Sequence, residues 1–222
     1  MSMMVQSGRF GSSAVPVTQT DWSNISSGSS VNITGRSIGA ASATRWVIVA
    51  LAINYNAGRT INTVTIGGVS ATRLFASPSS LGVAGSKTEY WAANVPTGTT
   101  ATIAATLDGS MFDGSLFIWT ADREPVFFDG KEDLTVSSGS YSLAIDVPEG
   151  GAVLVVCNNN AGTTTVNAIS GWATGFISTV RDILSGKADL LPAQTGRTIS
   201  ITLSGGSPNP TYDGLSAISV SF

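Results

Sequence analysis

The sequence predicts an all-β protein: a β-sandwich of Ig-like or jelly-roll-like type, built from two internally repeated halves. The first observation is the stretch Trp46–Gly68, in which an apolar run ends in an Asn- and Gly-containing turn and a Thr-rich strand follows. The second is a weaker copy of it at Gly151–Trp172, offset by 104 residues when Ala57 is aligned with Ala161. The third is the lack of any sustained 3.6-residue apolar period, which argues against helices.

The N-terminal segment, residues 1–26, is predicted to be an extended arm or a first strand. It is rich in small and polar residues and offers few large side chains. Arg9, Phe10 and Trp22 are therefore the expected anchors of this arm on a neighbouring surface.

The first β-sandwich repeat is predicted to span residues 27–121. Val31 and Ile33 alternate with polar residues, which is typical of a half-buried strand. Trp46–Ile53 is apolar on both faces, so we expect a central strand that is covered on both sides. Residues 100–107 alternate between small apolar and Thr positions and predict a further strand.

Residues 122–137 are predicted to be an acidic connector, and residues 138–222 the second repeat. Seven of the 14 carboxylates lie between Asp122 and Glu149. Thr179–Leu191 has a weak helical pattern, but Ser185-Gly186 divides it, and we expect strand or loop with at most one helical turn.

The residues available for chemistry are few, and we expect no enzyme, no cofactor and no metal site. The chain has no histidine, which removes the commonest general base and most zinc sites. Its single cysteine, Cys157, lies in an apolar run and is expected in the core. Asp113 and Asp213 are a conceivable glycosidase pair, but each precedes Gly and turn formation is the better account. Calcium binding by the acidic segment is the less favoured alternative to a solvated linker.

Charge and hydropathy exclude further classes of partner. The net charge is −3 and the 11 Lys and Arg form no basic run, so we expect no nucleic acid. The longest apolar run is eight residues, which predicts no membrane helix, and the N-terminus lacks a signal-peptide pattern. Charged residues make only 11% of the chain, a low fraction that favours surface buried in a homo-oligomer or an assembly.

Aromatic residues near predicted turns are the candidates for contact with a glycan or a protein partner. They are Tyr55, Tyr90, Trp91 and Tyr212. Their rings could stack on sugars, although packing in the core or at a subunit interface is the favoured alternative for each of them.

The segment Val64–Thr72, followed by Val95–Thr99, resembles the strand-turn pattern of Ig-like IPT/TIG sandwiches. The whole chain is similar in style to the Gly/Ser/Thr-rich β-sandwich proteins of tailed-phage virions. That resemblance implies a non-enzymatic decoration, head-fibre or tail protein on the capsid or tail surface. Such a protein is made in the host cytoplasm without a signal peptide and contacts other virion proteins. A carbohydrate- or host-receptor-binding module is the alternative expectation.

Overall fold

The prediction of an all-β protein is confirmed by the computed structural model, which describes residues 16–77, 85–133, 140–158, 165–171, 173–177, 184–204 and 214–222. Within these ranges all regular structure is β-strand. The strands are β1 (Thr18–Ile25), β2 (Gly28–Ser37), β3 (Trp46–Tyr55), β4 (Ile61–Ile66), β5 (Val69–Ser70), β6 (Thr72–Ala76), β7 (Gly85–Asn94), β8 (Thr100–Met111), β9 (Asp113–Ala121), β10 (Val126–Asp133), β11 (Ser140–Val147), β12 (Gly151–Asn158), β13 (Thr165–Ser170), β14 (Ala173–Ile177), β15 (Leu184–Leu191), β16 (Gln194–Ser204) and β17 (Gly214–Ser221).

The strands form four antiparallel sheets. The two larger sheets have the orders β1-β9-β3-β7-β6 and β10-β17-β12-β15-β14. The two smaller sheets have the orders β2-β8-β4-β5 and β11-β16-β13. Each smaller sheet packs on one face of a larger sheet and makes a β-sandwich with it.

Three apolar cores separate these four layers. The first lies between the sheets of residues 18–121, where alternate residues of β3 such as Val49 and Leu51 face Val64 and Ile103. The third lies between the corresponding sheets of residues 126–221. The second core joins the two larger sheets face to face and includes Ile48 of β3 and Leu154 of β12. Because β3 and β12 contribute to a core on each face, they are apolar except near their ends, where Asn54 and Asn158 lie.

The two halves have the same topology, except that β5 has no counterpart among the described strands of the second half. β3 lies between β9 and β7 in one large sheet, and β12 lies between β17 and β15 in the other. The register repeats at the offset of 104: Val49 opposes Trp91, and Val153 opposes Ala188. The larger sheets stack with their strand orders reversed, since β6 contacts β10 and β1 contacts β14. The halves are therefore related by an approximate twofold axis that passes between β3 and β12.

Two expected boundaries differ from the observed strands. The first strand, β1, begins at Thr18 and pairs with β9, while Arg9 and Phe10 lie outside the described residues. The segment expected to be a connector contains β10, which pairs with β17 as the first strand of the second half. The charged residues of this segment favoured a connector in the sequence. They are compatible with a strand, because alternate side chains of a strand face opposite sides of its sheet. The weak helical pattern at residues 179–191 is strand from Leu184 onward.

A β-bulge occurs at the same place in β1 and in β10, and an aspartate stabilises each bulge. Asp21 accepts hydrogen bonds from the backbone N–H of Trp22 and of Ser37, both at 2.7 Å. Asp129 accepts from the N–H of Gly130 at 2.8 Å and of Asp146 at 3.0 Å. Each carboxylate thus satisfies a backbone donor on the neighbouring strand, so that the sheet edge presents fewer free N–H groups.

Burial of Asp129 opposes its ionisation, but hydrogen bonds from Asp146, Lys131 and Gly130 outweigh burial and hold its pKa below the usual range. We predict that Asp129→Asn lowers the free energy of unfolding at pH 7 by roughly 1–3 kcal/mol. A lowered pKa stabilises the fold above the unfolded pKa, so the difference from wild type shrinks as pH falls below about 4. Urea unfolding of wild type and Asp129→Asn at pH 7 and pH 3.5 measures this difference in the free energy of unfolding. Asp122→Asn, at an exposed position, is the control. An equal loss at both pH values contradicts the assignment.

Candidate interaction surface

Three of the four aromatic residues predicted to contact a glycan or partner are buried. Tyr55 and Tyr90 have no exposed surface and Trp91 is 6% exposed, so these three side chains pack in the interior, which is the alternative favoured for them in the sequence. The Tyr55 hydroxyl donates to the Ser86 carbonyl at 3.3 Å, and the Tyr90 hydroxyl donates to the Ser216 carbonyl at 3.0 Å. Tyr212 lies outside the described residues.

Other residues singled out in the sequence are structural where they are described. Trp22 is half-buried and packs against the core between the two larger sheets. Cys157 is buried in the core of the second sandwich, as predicted. Trp119 is fully buried.

Asp113 is the first residue of β9 and accepts a hydrogen bond from Asn54 Nδ2 at 2.8 Å. The expected Asp-Gly turn is wrong here, because Gly114 lies within the strand. A Cβ at Gly114 would come within 2.4 Å of the Ala52 carbonyl oxygen, so glycine permits a close approach of β9 to β3. Asp213, the partner expected in a carboxylate pair, lies outside the described residues.

A buried cluster of charges lies inside the first sandwich. Glu89 is fully buried, and its Oε1 lies 2.7 Å from Lys87 Nζ. Its Oε2 accepts a hydrogen bond from Trp91 Nε1 at 3.1 Å, and the Arg73 guanidinium lies over the Trp91 ring at 5.6 Å. By register, Gly186 and Ala188 occupy the positions of Glu89 and Trp91 in the second half. The cluster is therefore particular to one half, and burial keeps its carboxylate away from a substrate.

A depression of about 240 Å³ lies at the end of the first sandwich, beside Arg45. Arg45 is 2% exposed, and its guanidinium donates five hydrogen bonds to the carbonyls of Val95, Gly39, Ala40 and Thr97. Burial lowers its pKa from the usual value. Because all five N–H groups are used by backbone oxygens, Arg45 joins two loops and has no donor left for an anion.

The most conspicuous surface feature is an apolar patch at the start of β10, formed by Val126, Phe127 and Phe128. Their exposed fractions are 56%, 39% and 52%. Among the described residues, the only other large apolar side chains with comparable exposure are Val69 and Phe112, which lie apart. Consecutive residues of a strand face opposite sides of its sheet, so these three apolar side chains surround the exposed edge strand rather than share one face, and we interpret this edge as a candidate contact surface.

The fold presents this patch through an edge strand and a bulge. β10 is the outer strand of its sheet, and the bulge between Phe127 and Asp129 leaves Phe128 without a partner on β17. Phe127 stacks on Phe75 of β6 with ring centroids 5.9 Å apart and planes inclined by 8°. A Cβ at Gly130 would lie 2.5 Å from the Phe75 ring, so glycine at this position admits that ring. The stack fixes one side of the patch, while Val126 and Phe128 remain open to solvent.

The sequence contains a signal for this patch in the alignment of its two repeats. The bulges align Gln19 with Phe127 and Asp21 with Asp129, an offset of 108 rather than 104. At that offset Thr18-Gln19-Thr20 corresponds to Val126-Phe127-Phe128. An apolar triplet at a position that is polar in the other repeat indicates a role beyond the fold.

No protein-family model matches the chain, and no curated protein matches it with significance. The described residues include no helix long and apolar enough to cross a membrane. In the same part of the chain, no three His, Cys, Asp or Glu side chains are grouped as a metal site would require.

The buried Lys87–Glu89 pair gives a test of its structural role. Glu89→Leu leaves the Lys87 ammonium buried without its carboxylate, and we predict a loss of about 3–5 kcal/mol in the free energy of unfolding. The double variant Lys87→Leu/Glu89→Leu is predicted to lose less than Glu89→Leu alone, because no unpaired charge remains. Chemical denaturation of these two variants and of the single variant Lys87→Leu measures the difference. A double variant as unstable as the sum of the two single variants would show that the charges do not act as a pair.

Proposed function

We propose that this chain is a non-enzymatic structural protein of a bacteriophage virion, placed on the capsid or tail surface, where it acts through protein–protein contacts. The observation that carries the assembly role is the exposed patch of Val126, Phe127 and Phe128. The placement in a virion rests on the similarity of the sequence to Gly/Ser/Thr-rich virion sandwiches.

The internal repeat supports an assembly role for the patch. Thr18, Gln19 and Thr20 occupy the same bulge in β1, which shows that this strand geometry forms with polar residues. The fold therefore does not require Val126 and Phe128 to be apolar. Exposed aromatic side chains are costly in water and are enriched at the centres of protein interfaces, where they contribute much of the binding free energy.

The surroundings of the patch are consistent with a contact that is apolar at its centre and polar at its rim. Arg123 and Glu124 precede it and Lys131 follows it, and all three are exposed. A stable interface buries about 800 Å² on each partner, which is more than three side chains provide. The patch is accordingly the central part of a larger contact with neighbouring subunits of the virion or with further copies of the chain.

The alternative of a glycan-binding module has less support. Sugar recognition by stacking needs exposed aromatic faces, and Tyr55, Tyr90 and Trp91 are buried. The outer face of the sheet β2-β8-β4-β5 carries a shallow groove lined by small side chains, including Thr63 and Thr106, whose hydroxyls are 2.7 Å apart. This groove has no aromatic residue in its lining.

Mass spectrometry of purified particles tests the proposed function directly. We predict that the protein is present in stoichiometric amounts in virions of the phage that encodes it. Hundreds of copies per particle would assign it to the capsid surface, and a handful would assign it to a tail or fibre. Its absence from purified particles would contradict the proposal.

A surface variant tests the role of the patch. Val126→Thr/Phe128→Thr introduces the residues of the first repeat and leaves the Phe127–Phe75 stack intact. We predict binding to particles or to other copies that is at least tenfold weaker, since loss of central interface residues typically costs 2 kcal/mol or more. Phe112→Gln, at the other exposed phenylalanine, is the matched control. Thermal unfolding close to wild type together with unchanged binding would contradict the assignment of the patch.

A further inference from the structure

The interface between the two larger sheets has an apolar end and a polar end. At the apolar end, Trp119, Val220 and Ile48 pack with their neighbours in the central core. The residues at the polar end are Asn54, Ser77 and Ser115 from the first half and Glu132, Asn158 and Ser216 from the second. The register places Glu132 beside Ser216 on adjacent strands. The two halves are therefore joined by polar groups along one edge of the interface.

Several polar groups at this end are incompletely satisfied within the part of the chain that the structure describes. Asn158 Nδ2 donates to Asn54 Oδ1 at 2.8 Å, which links equivalent residues of the two halves. Four other buried oxygens have no hydrogen-bond partner: Asn158 Oδ1, Ser115 Oγ, Ser216 Oγ and Glu132 Oε2. Separation at this end would hydrate them, whereas separation at the apolar end would expose the core.

Glu132 is the titratable group at this polar end and it lies on β10, the strand that carries the patch. Ser77, whose Oγ accepts the Thr88 N–H at 2.9 Å, acts on the Glu132 carboxyl group and favours the ionised form. The groups around Glu132 are Ser77 after β6, Tyr90 on β7 and Ser216 on β17, and the Lys87 ammonium, which lies on the other face of β7, acts on it through its charge.

Burial raises the pKa of Glu132 to about 7, against the opposing effects of Ser77 and Lys87. Burial also raises the pKa of Tyr90, which stays neutral throughout the range in which Glu132 titrates.

We propose that the polar end is a proton-controlled latch that closes β10 onto the first half when Glu132 is neutral and loosens when Glu132 ionises. The neutral carboxyl group can be buried against Ser77 and Ser216. An ionised carboxylate is better solvated in an opened arrangement, in which the facing edge strands β6 and β10 separate from each other and fray from their pairing strands β7 and β17. The apolar end of the interface retains the two halves in contact, so the opening is local.

The latch deepens the proposed function, because it controls the strand that presents Val126 and Phe128 to a partner. β10 also contacts the first half through the Phe127–Phe75 stack, in which Phe127 is part of the patch and precedes Glu132 along the strand. Loosening at Glu132 would weaken the support of that stack and shift the patch. Contacts made through the patch would then be strongest below neutral pH.

The direction and size of the effect follow from linkage. The pKa of Glu132 is raised in the closed form, so the stabilisation of that form is complete below the ordinary value of 4.5 and is lost as pH rises through about 7. If Glu132 has its ordinary pKa in the open form, the equilibrium constant for opening rises on the order of 50-fold between pH 5 and pH 8.

Hydrogen exchange of the full chain at pH 5 and pH 8, corrected for the chemical exchange rate, tests the latch. In wild type we predict that protection of β10 and of residues 72–77 falls on the order of 50-fold from pH 5 to pH 8. Glu132→Gln keeps a neutral hydrogen-bonding group, and we predict protection that is independent of pH. Glu124→Gln, at an exposed position outside the interface, should behave as wild type. Equal pH dependence in wild type and Glu132→Gln, or none in wild type, overturns the latch.

Carbon-13 NMR titration of the Glu132 carboxyl in the wild-type chain gives a second measurement that needs no variant. A midpoint near 7 supports the latch, and a midpoint near 4.5 overturns it. The variant Val126→Thr/Phe128→Thr separates the two proposals, because it should lose binding while it keeps the pH-dependent exchange. Intact exchange behaviour with unchanged binding would refute the patch alone.

Discussion

The packing of β3 against β12 is the contact on which the architecture depends. Both strands are central in their sheets, and each is fully buried because a small sheet covers one face and the other large sheet covers the opposite face. Size complementarity makes the contact close. Ala50 and Ala52 of β3 occupy the positions that Leu154 and Val156 occupy in β12, so small residues on one strand leave room for larger ones on the other. The low charge of the chain follows, since two of four sheets have no solvated face.

Comparison of the two halves distinguishes features that the fold requires, which occur in both halves, from features that occur in one half only. The bulge aspartates and the apolar central strands occur in both halves, so they belong to the shared framework. The ion pair of Lys87 and Glu89 and the apolar patch on β10 each occur in one half only. An assembly protein gains from this arrangement, because a rigid four-layered body can carry a contact surface at one edge without change to its core.

Much of the fold was predictable from the sequence, and most of the site was not. The apolar run at Trp46–Ile53 indicated a strand covered on both faces, because such a strand is apolar at consecutive positions. The burial of Tyr55, Tyr90 and Trp91 left no such trace, since it depends on which sheet packs over each strand. The strand β10 was mistaken for a connector because its charged residues face β11 or solvent, or are buried at a sheet interface as Glu132 is. Its patch becomes visible only when the repeats are aligned at the bulges, and strand register supplies that alignment.

Differential scanning calorimetry of the full chain tests the central claim most directly, because a shared core between β3 and β12 makes the stability of each half depend on the other. The account predicts one cooperative transition in which the calorimetric enthalpy equals the van't Hoff enthalpy. Two resolved transitions, each with the enthalpy of a domain of about 100 residues, would show that the halves fold independently and would contradict the claim.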